Sequence, residues 1–152
     1  MIKKFLQESI KENSTIIHFA AESHVDNSFK SSVDFTRTNT LGTHLLLNEA
    51  RFKNVEKIII ISTDEVYGST DIICDEKSSL QPSNPYSASK AGSDLIAQSF
   101  FKSFKLPIVI LRPNNIYGPY QHIEKIIPAT INAAAGNGKL SIHGNGEVYR
   151  HY

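Results

Sequence analysis

The chain has 152 residues, with 16 lysines and arginines against 15 aspartates and glutamates, which gives a formal net charge of +1. This near balance removes the electrostatic footprint of a general nucleic-acid-binding protein. The longest aliphatic run, residues 58–61, is far shorter than the roughly 18 apolar residues of a membrane span. The single cysteine, Cys74, cannot form an internal disulfide, so we expect a reducing, cytoplasmic compartment. The six histidines lack the close spacing of a ligand motif, and no metal is expected.

The hydrophobic pattern predicts alternating helices and strands. In chain order it predicts a helix at 2–10, a strand at 16–21, a helix at 29–52, a strand at 55–62, a helix at 86–104 and a strand at 108–111. The four consecutive isoleucines at 58–61 show no alternation, as in a parallel strand that is buried on both faces. This order predicts an α/β fold with a doubly wound parallel sheet, in one domain over residues 1–152.

Polar residues follow the second predicted strand, at the place where such sheets bind ligands. Thr63, Asp64 and Glu65 offer a hydroxyl and two adjacent carboxylates there. Adjacent side chains diverge in an extended segment, so the two carboxylates can reach different parts of one substrate. If their environments separate their pKa values, one can act as an acid and the other as a base. A solvated turn explains the same residues, and this alternative stays open.

A tyrosine and a lysine stand four positions apart at the start of the third predicted helix. This spacing puts Tyr86 and Lys90 on one helix face. An ammonium group favours the ionised form of a nearby phenol, so we expect Lys90 to lower the pKa of Tyr86 and make it a base. The same spacing occurs often by chance in exposed helix pairs, which is the alternative explanation.

Together and in this order, the motifs resemble the extended short-chain dehydrogenases/reductases. Among these the chain is most similar to the nucleotide-sugar 4,6-dehydratases, typified by dTDP-glucose 4,6-dehydratase. The Thr-Asp-Glu triplet at 63–65 is the discriminating part, because the related epimerases and decarboxylases generally lack it. The resemblance implies a partial Rossmann-like sheet, NAD as cofactor and a nucleotide sugar as substrate. It also implies a homodimer through the helices around 29–52 and 86–104.

The resemblance implies a reaction and assigns roles by matching position. The sugar would be oxidised at C4, lose water across C5 and C6, and be reduced at C6. The implied catalytic residues are Thr63, Asp64, Glu65, Tyr86 and Lys90. The implied cofactor-binding residues are Phe19, Ala20, Ala21, Glu22, Ser23, Thr38, Tyr86 and Lys90. The implied substrate-binding residues are Ser23, Thr63, Asn115, Lys125 and Arg150, with Arg150 at the diphosphate.

The sequence also departs from the family pattern. It contains no Gly-x-x-Gly-x-x-Gly loop, and it lacks the acidic residue that would bind the adenosine ribose. We therefore expect a sheet without the first βαβ unit of the family and without its C-terminal substrate domain. Ile123 stands where the family usually has a proline, which is a local change. Three alternatives stay open: a UDP-glucose 4,6-dehydratase, an inactive fragment or partner subunit without its own NAD site, and a non-enzymatic dimerising scaffold.

Overall fold

The computed structural model describes residues 2–136, 138–141, 145–147 and 152. The chain forms two compact units, Met1–Pro113 and Asn114–Tyr152, and each is described by itself. That residues 1–152 form a single partial domain stays a prediction.

The elements alternate as the sequence predicts, with additions that it does not predict. In the first unit they are α1 (Ile2–Ser9), β1 (Thr15–His18), α2 (Val25–Lys30), α3 (Ser32–Phe35), a π-helix (Thr36–Leu41), α4 (Gly42–Ala50), β2 (Lys57–Ile61), a 3-10 turn (Asp64–Tyr67), α5 (Pro85–Phe104) and β3 (Ile108–Leu111). The second unit contains α6 (Ile126–Ala134), which is absent from the predicted elements. Within the described residues, no helix is both long and apolar enough to cross a membrane.

The three strands form one parallel sheet in the order β1-β2-β3. Ile60 of β2 pairs with His18 of β1 and with Ile110 of β3. The predicted α/β class with a parallel sheet is therefore confirmed. β1 ends at His18 and not at residue 21, since its last pair with β2 is His18 with Ile60. Farther along the chain, the backbone of Glu22 bonds to the side chain of Asn39.

Helices α1, α4 and α5 pack on the same face of this sheet. The core comprises Ile10, Leu46, Leu47, Ala50, Val55, Ile58, Ile60, Ala97, Phe100 and Leu106. Ile58 and Ile60 are completely buried, whereas Ile59 and Ile61 are half-buried. The expectation that all four isoleucines are buried on both faces is thus wrong, since burial alternates along β2. Alternation is invisible in the sequence when both faces of a strand carry isoleucine.

The predicted helix at 29–52 is divided. α2 ends at Lys30, and Ser31 leaves the helical conformation with φ −140° and ψ 57°. The Ser31 hydroxyl donates a hydrogen bond to the Asp34 carboxylate at the start of the next helix. The π-helix then widens the chain path around Asn39, whose carbonyl oxygen accepts hydrogen bonds from hydroxyl groups on α4 and α5. Short π segments of this kind occur frequently at functional sites.

Candidate active site

The 3-10 turn after β2 carries the two predicted carboxylates. Thr63 caps the turn: its hydroxyl accepts a hydrogen bond from the Glu65 amide at 3.2 Å and lies 3.2 Å from Oδ1 of Asp64. Val66 is completely buried, and the Asp64 amide donates to the Pro113 carbonyl at 3.1 Å. These contacts fix the backbone of the turn while both carboxylates remain half-buried.

The N-terminus of α5 lies against this turn. Asn84 caps α5, since its side chain accepts from the Ser87 amide at 2.8 Å while the Ser87 hydroxyl accepts from the Asn84 amide at 3.2 Å. Pro85 occupies the first helical turn, where its missing N–H costs nothing. Nδ2 of Asn84 also donates to Oε2 of Glu65 at 3.3 Å. The helix cap therefore joins Glu65 to the end of α5 that carries Tyr86.

The phenol of Tyr86 is half-buried and packs edge-on against Phe35 at 6.3 Å between ring centres. Burial raises the pKa of Tyr86, the charge of Glu65 raises it further, the Thr63 hydroxyl lowers it, and Asp64 raises it. The structure thus brings Thr63, Asp64, Glu65 and Tyr86 together. Both carboxylates oppose ionisation of the phenol.

Lys90 lies one turn farther along α5 and is 95% buried, with 5% of its surface exposed. Its Nζ donates to the carbonyl of Ile61, the last residue of β2, at 2.7 Å. Burial lowers the pKa of Lys90, and the charge of Asp94 acts in the opposite direction. The expectation that Lys90 lowers the pKa of Tyr86 is therefore wrong for the chain without a bound cofactor. The ammonium group bonds to the strand, and the charges that act on the phenol are negative.

A buried ion pair that the sequence reasoning missed lies beyond Lys90. Asp94 is completely buried, and its Oδ2 accepts from Nε of Arg112 at 2.8 Å. Nη1 of Arg112 donates to the hydroxyl of Tyr67 at 2.7 Å. Burial raises the pKa of Asp94, although Arg112 and the nearby Ser62 hydroxyl lower it. The available signal was an acidic residue four positions after Lys90, on the same face of a helix.

Asn39 is a further residue that the sequence does not single out. It is 1% exposed, and its side chain accepts from the Glu22 amide at 2.8 Å and donates to the Glu22 carbonyl at 2.9 Å. Its Nδ2 also donates to the Ser89 hydroxyl at 2.8 Å, which in turn donates to the Tyr86 carbonyl at 2.7 Å. One buried amide therefore connects the segment after β1 to the first turn of α5.

The residues predicted to bind the cofactor include donor groups of the kind that one end of NAD requires. Ala21 is half-buried, and the others in this set outside α5 are exposed: Phe19, Ala20, Glu22, Ser23 and Thr38. The Lys90 ammonium has three N–H donors, of which one bonds to Ile61. The Tyr86 hydroxyl and the Lys90 ammonium are the donor types that ribose hydroxyls require. The donor set fits the nicotinamide ribose, while the sequence offers no glycine-rich loop for the pyrophosphate.

Two of the remaining predicted substrate residues belong to the second unit. Asn115 and Lys125 are half-buried residues of the second unit, and the Lys125 amide donates to the His122 carbonyl at 3.0 Å just before α6. Arg150 lies outside the described residues. Their roles stay predictions. In the part of the chain that the structure describes, no group of three or more His, Cys, Asp or Glu residues is arranged to hold a metal ion.

Several curated proteins with similar sequences are named as sugar-nucleotide dehydratases. The chain is 52% identical over 149 residues to dTDP-D-glucose 4,6-dehydratase of Dictyostelium discoideum, an alignment covering 90% of this chain and 34% of that protein. It is 46% identical over 147 residues to a trifunctional UDP-glucose 4,6-dehydratase/UDP-4-keto-6-deoxy-D-glucose 3,5-epimerase/UDP-4-keto-L-rhamnose-reductase of Arabidopsis thaliana, covering 93% of this chain and 22% of that protein. The chain thus spans about a third or less of these relatives.

The comparison with solved structures agrees with the comparison of sequences. The crystal structure of DesIV, a dTDP-glucose 4,6-dehydratase from Streptomyces venezuelae with NAD and TYD bound, matches with a TM-score of 0.89 and 44% identity. The match covers 95% of this chain and 45% of DesIV. The model of the family described as GDP-mannose 4,6 dehydratase matches residues 2–152. The shared sheet, the turn with its two carboxylates and this full-length match lead to one conclusion: the chain belongs to the GDP-mannose 4,6 dehydratase family.

Proposed function

We propose that this chain carries the acid and base residues of a nucleotide-sugar 4,6-dehydratase that uses NAD and acts on dTDP-glucose. One observation carries the proposal: the turn with Asp64 and Glu65 lies against the end of α5 that carries Tyr86. The Asn84 amide reaches Glu65 at 3.3 Å, and both carboxylates act on the pKa of Tyr86. The names of the relatives and of DesIV support the choice of reaction and sugar nucleotide.

Each group has a chemical task that its position allows. When bound, NAD would supply the hydride acceptor for the sugar C4 and the hydride donor for C6. The ionised phenolate of Tyr86 accepts the proton of the C4 hydroxyl as that carbon becomes a ketone. The ketone acidifies C5, so the Glu65 carboxylate can remove the C5 proton. A protonated Asp64 gives its proton to the departing C6 hydroxyl, which leaves as water.

The charges of the turn and of the phenol are linked in this scheme. Tyr86 has a raised pKa because it is buried and lies near Glu65 and Asp64. A protonated Asp64, which its role as an acid requires, removes one of the two negative charges that oppose ionisation of Tyr86. Thr63 supports the same step, since its hydroxyl lowers the pKa of the phenol. A protonated Asp64 and the Thr63 hydroxyl therefore favour the phenolate of Tyr86, whereas the Glu65 carboxylate opposes it.

A direct assay tests the proposal. The purified chain is incubated with NAD and dTDP-glucose, and the 4-keto-6-deoxy product is detected by its absorbance in alkali and by mass spectrometry. Glu65→Gln and Asp64→Asn should abolish product while changing the volume of each side chain little. Asp71→Asn, a change in the exposed loop after the turn, is the matched control and should leave turnover unchanged. If the wild-type chain does not turn over dTDP-glucose in the presence of NAD, the proposed activity is contradicted.

UDP-glucose is the second candidate substrate, favoured by the 46% identity to the Arabidopsis protein. The same assay with UDP-glucose decides between them through the ratio of kcat/KM for the two sugar nucleotides. A ratio in favour of UDP-glucose would replace the proposed substrate and retain the proposed chemistry.

The second candidate role is that of a subunit that binds NAD only together with a partner chain. It is favoured by the absence of a Gly-x-x-Gly-x-x-Gly sequence from the 152 residues. Without amides at a helix N-terminus to receive the pyrophosphate, affinity for NAD should fall severely. Calorimetric titration separates the two roles: binding of NAD at micromolar concentration supports the enzyme, and no binding together with no turnover supports the partner role.

The proposal includes a homodimer through α2 to α4 and α5. These helices expose large apolar side chains: Phe29 (66%), Val33 (66%), Leu41 (47%), Leu95 (58%), Phe101 (52%) and Phe104 (47%). Apolar surface of this kind marks a protein interface when it is contiguous. Leu95→Glu should shift the mass measured by light scattering from dimer to monomer, whereas Ile73→Glu, in an exposed loop, should not. A wild-type chain that is monomeric at high concentration would contradict the dimer.

A cytoplasmic location belongs to the same proposal. Cys74 is a free, half-buried cysteine, and free thiols persist in reducing compartments. Cell fractionation of a tagged chain tests the location, and recovery in a secreted fraction would contradict it.

A further inference from the structure

The buried pair of Asp94 and Arg112 joins α5 to the residue that directly follows β3. Oδ2 of Asp94 and Nε of Arg112 are 2.8 Å apart, with the two side chains 0% and 11% exposed. Removing two charges from water costs several kcal/mol per ion, so such a pair stabilises a fold little compared with apolar packing. The pair does fix a distance between two parts of the chain, since its partners lie on α5 and directly after β3.

Arg112 makes a second contact in a direction that its shape dictates. The planar guanidinium group presents its N–H donors in a fixed fork, so the two hydrogen-bond directions cannot vary independently. While Nε bonds to Asp94, Nη1 donates to the Tyr67 hydroxyl at 2.7 Å, and the guanidinium carbon lies 5.1 Å from the centre of the Tyr67 ring. One rigid group thus sets the distance between Asp94 and Tyr67.

Tyr67 is the last residue of the 3-10 turn that begins with Asp64. Gly68 follows it with φ +76°, a conformation at which the chain changes direction. The backbone of the turn is held by the Asp64 amide at the Pro113 carbonyl and by the Val66 carbonyl at the Gln81 amide, at 3.1 and 2.9 Å. The Tyr67 side chain adds the contact that ties the far end of the turn to the sheet and to α5.

We propose that Arg112 is a positioning residue: by holding Tyr67 while bonded to Asp94, it fixes the carboxylates of Asp64 and Glu65 relative to Tyr86. The importance of that geometry for dehydration rests on the proposed function. The geometry itself does not rest on the proposed function. Because α5 carries both Asp94 and Tyr86, a rigid connection from Asp94 to the turn fixes the turn relative to Tyr86.

The test uses Tyr67→Phe, which removes one hydroxyl and keeps the ring over the guanidinium group. Tyr120→Phe is the matched control, because Tyr120 is fully exposed. Arg112→Lys is the second variant, since a lysine can still neutralise Asp94 but cannot also supply the fork. The double variant Tyr67→Phe, Arg112→Lys shows whether the two residues act through one contact.

Two measurements on the whole chain, without NAD or substrate, decide the matter. The first is amide hydrogen exchange of Val66 and Gly68, referred to the amides of β2. We expect exchange roughly tenfold faster in Tyr67→Phe, as for loss of one hydrogen bond to a charged donor, and no further change in the double variant. The second is titration of the Tyr86 phenol by carbon-13 NMR, with the signal assigned by Tyr86→Phe. The pKa of Tyr86 should fall, because Glu65 and Asp64 now oppose its ionisation less.

Faster exchange with a lower Tyr86 pKa supports the positioning role. Unchanged exchange in Tyr67→Phe overturns it, because the contact then does not hold the turn. Faster exchange with an unchanged Tyr86 pKa also overturns it, because the contact is then structural only. A chain that passes both measurements but never turns over dTDP-glucose contradicts the proposed function and leaves the role of Arg112 standing.

Discussion

Replacement of Asn39 by alanine should be among the most costly single changes to a polar residue in this chain. Its side chain is 1% exposed and makes three hydrogen bonds, two to the backbone of Glu22 and one to the Ser89 hydroxyl, at 2.8 to 2.9 Å. The alanine would leave the Ser89 hydroxyl and the Glu22 backbone without these partners. It would also leave a small cavity between the π-helix and α5.

The magnitude follows from these contacts. A net contribution of about 1 kcal/mol per hydrogen bond gives about 3 kcal/mol of lost stability, within a range of roughly 1.5 to 4.5 kcal/mol. At the midpoint of a thermal transition, this loss lowers Tm by about 6–12 °C for a chain of this size. Urea unfolding followed by circular dichroism measures the free energy, and the midpoint should fall without a change of slope.

Asn27→Ala is the matched control, because Asn27 is exposed on α2. A change of at most about 0.5 kcal/mol is expected there. If Asn39→Ala proves as stable as this control, the bonds of Asn39 to the segment after β1 are not formed in solution. That result would contradict the inference that Asn39 connects this segment to α5.

Three further changes test local features. Asn84→Ala removes the cap of α5 and should cost about 1 kcal/mol in urea unfolding; no loss would contradict the cap seen at 2.8 Å. Gly68→Ala should destabilise the chain severely, because φ is +76° and a Cβ there would lie 2.1 Å from a backbone carbonyl oxygen. Gly118→Ala, with open space around it, should be nearly neutral, and equal effects would refute this reasoning. The pKa of His18 lies below 6.5 because of burial and then the charge of Lys90. The stability that His18 contributes is therefore fully present above pH 6.5 and is lost as the pH falls towards the folded pKa, since the unfolded chain takes up the proton first. His18→Gln should flatten this dependence, while exposed His122→Gln should not.

Much of the framework could be predicted from the sequence because its signals are local. β3 has the predicted bounds Ile108–Leu111, and α5 begins one residue before the predicted start, at Pro85. The carboxylates follow β2 as expected, since the run of isoleucines marks the strand and polar residues mark its end. Where the period of the apolar residues and the positions of the turn-forming residues agree, the sequence alone predicts whether a segment is a helix or a strand.

The remaining features depend on contacts between distant parts of the chain. Asn39 and Ser89 are 50 positions apart, and Lys90 and Ile61 are 29 positions apart, so no local pattern reveals either bond. The spacing predicts that Tyr86 and Lys90 lie one turn apart on a helix, and both lie on α5. The spacing does not predict the direction of the Lys90 ammonium, because the Ile61 carbonyl that it bonds lies at the end of β2.

The buried face of α5 is divided along its length, and this division accounts for how one helix serves both folding and chemistry. Its C-terminal half is apolar, and Ala97 and Phe100 belong to the core. Its N-terminal half buries polar side chains, namely Ser87, Ser89, Lys90, Ser93 and Asp94. Burying such groups is costly unless they are hydrogen-bonded, and each side chain has a partner. Ser87 bonds to the helix cap, Ser89 and Ser93 bond to Asn39, Lys90 bonds to the end of β2, and Asp94 bonds to Arg112. These partners lie in four different parts of the chain: the residue before α5, the π-helix, the end of β2 and the residue after β3. The apolar half therefore holds α5 on the sheet, while the polar half fixes the rotation and height at which Tyr86 meets the turn with its two carboxylates.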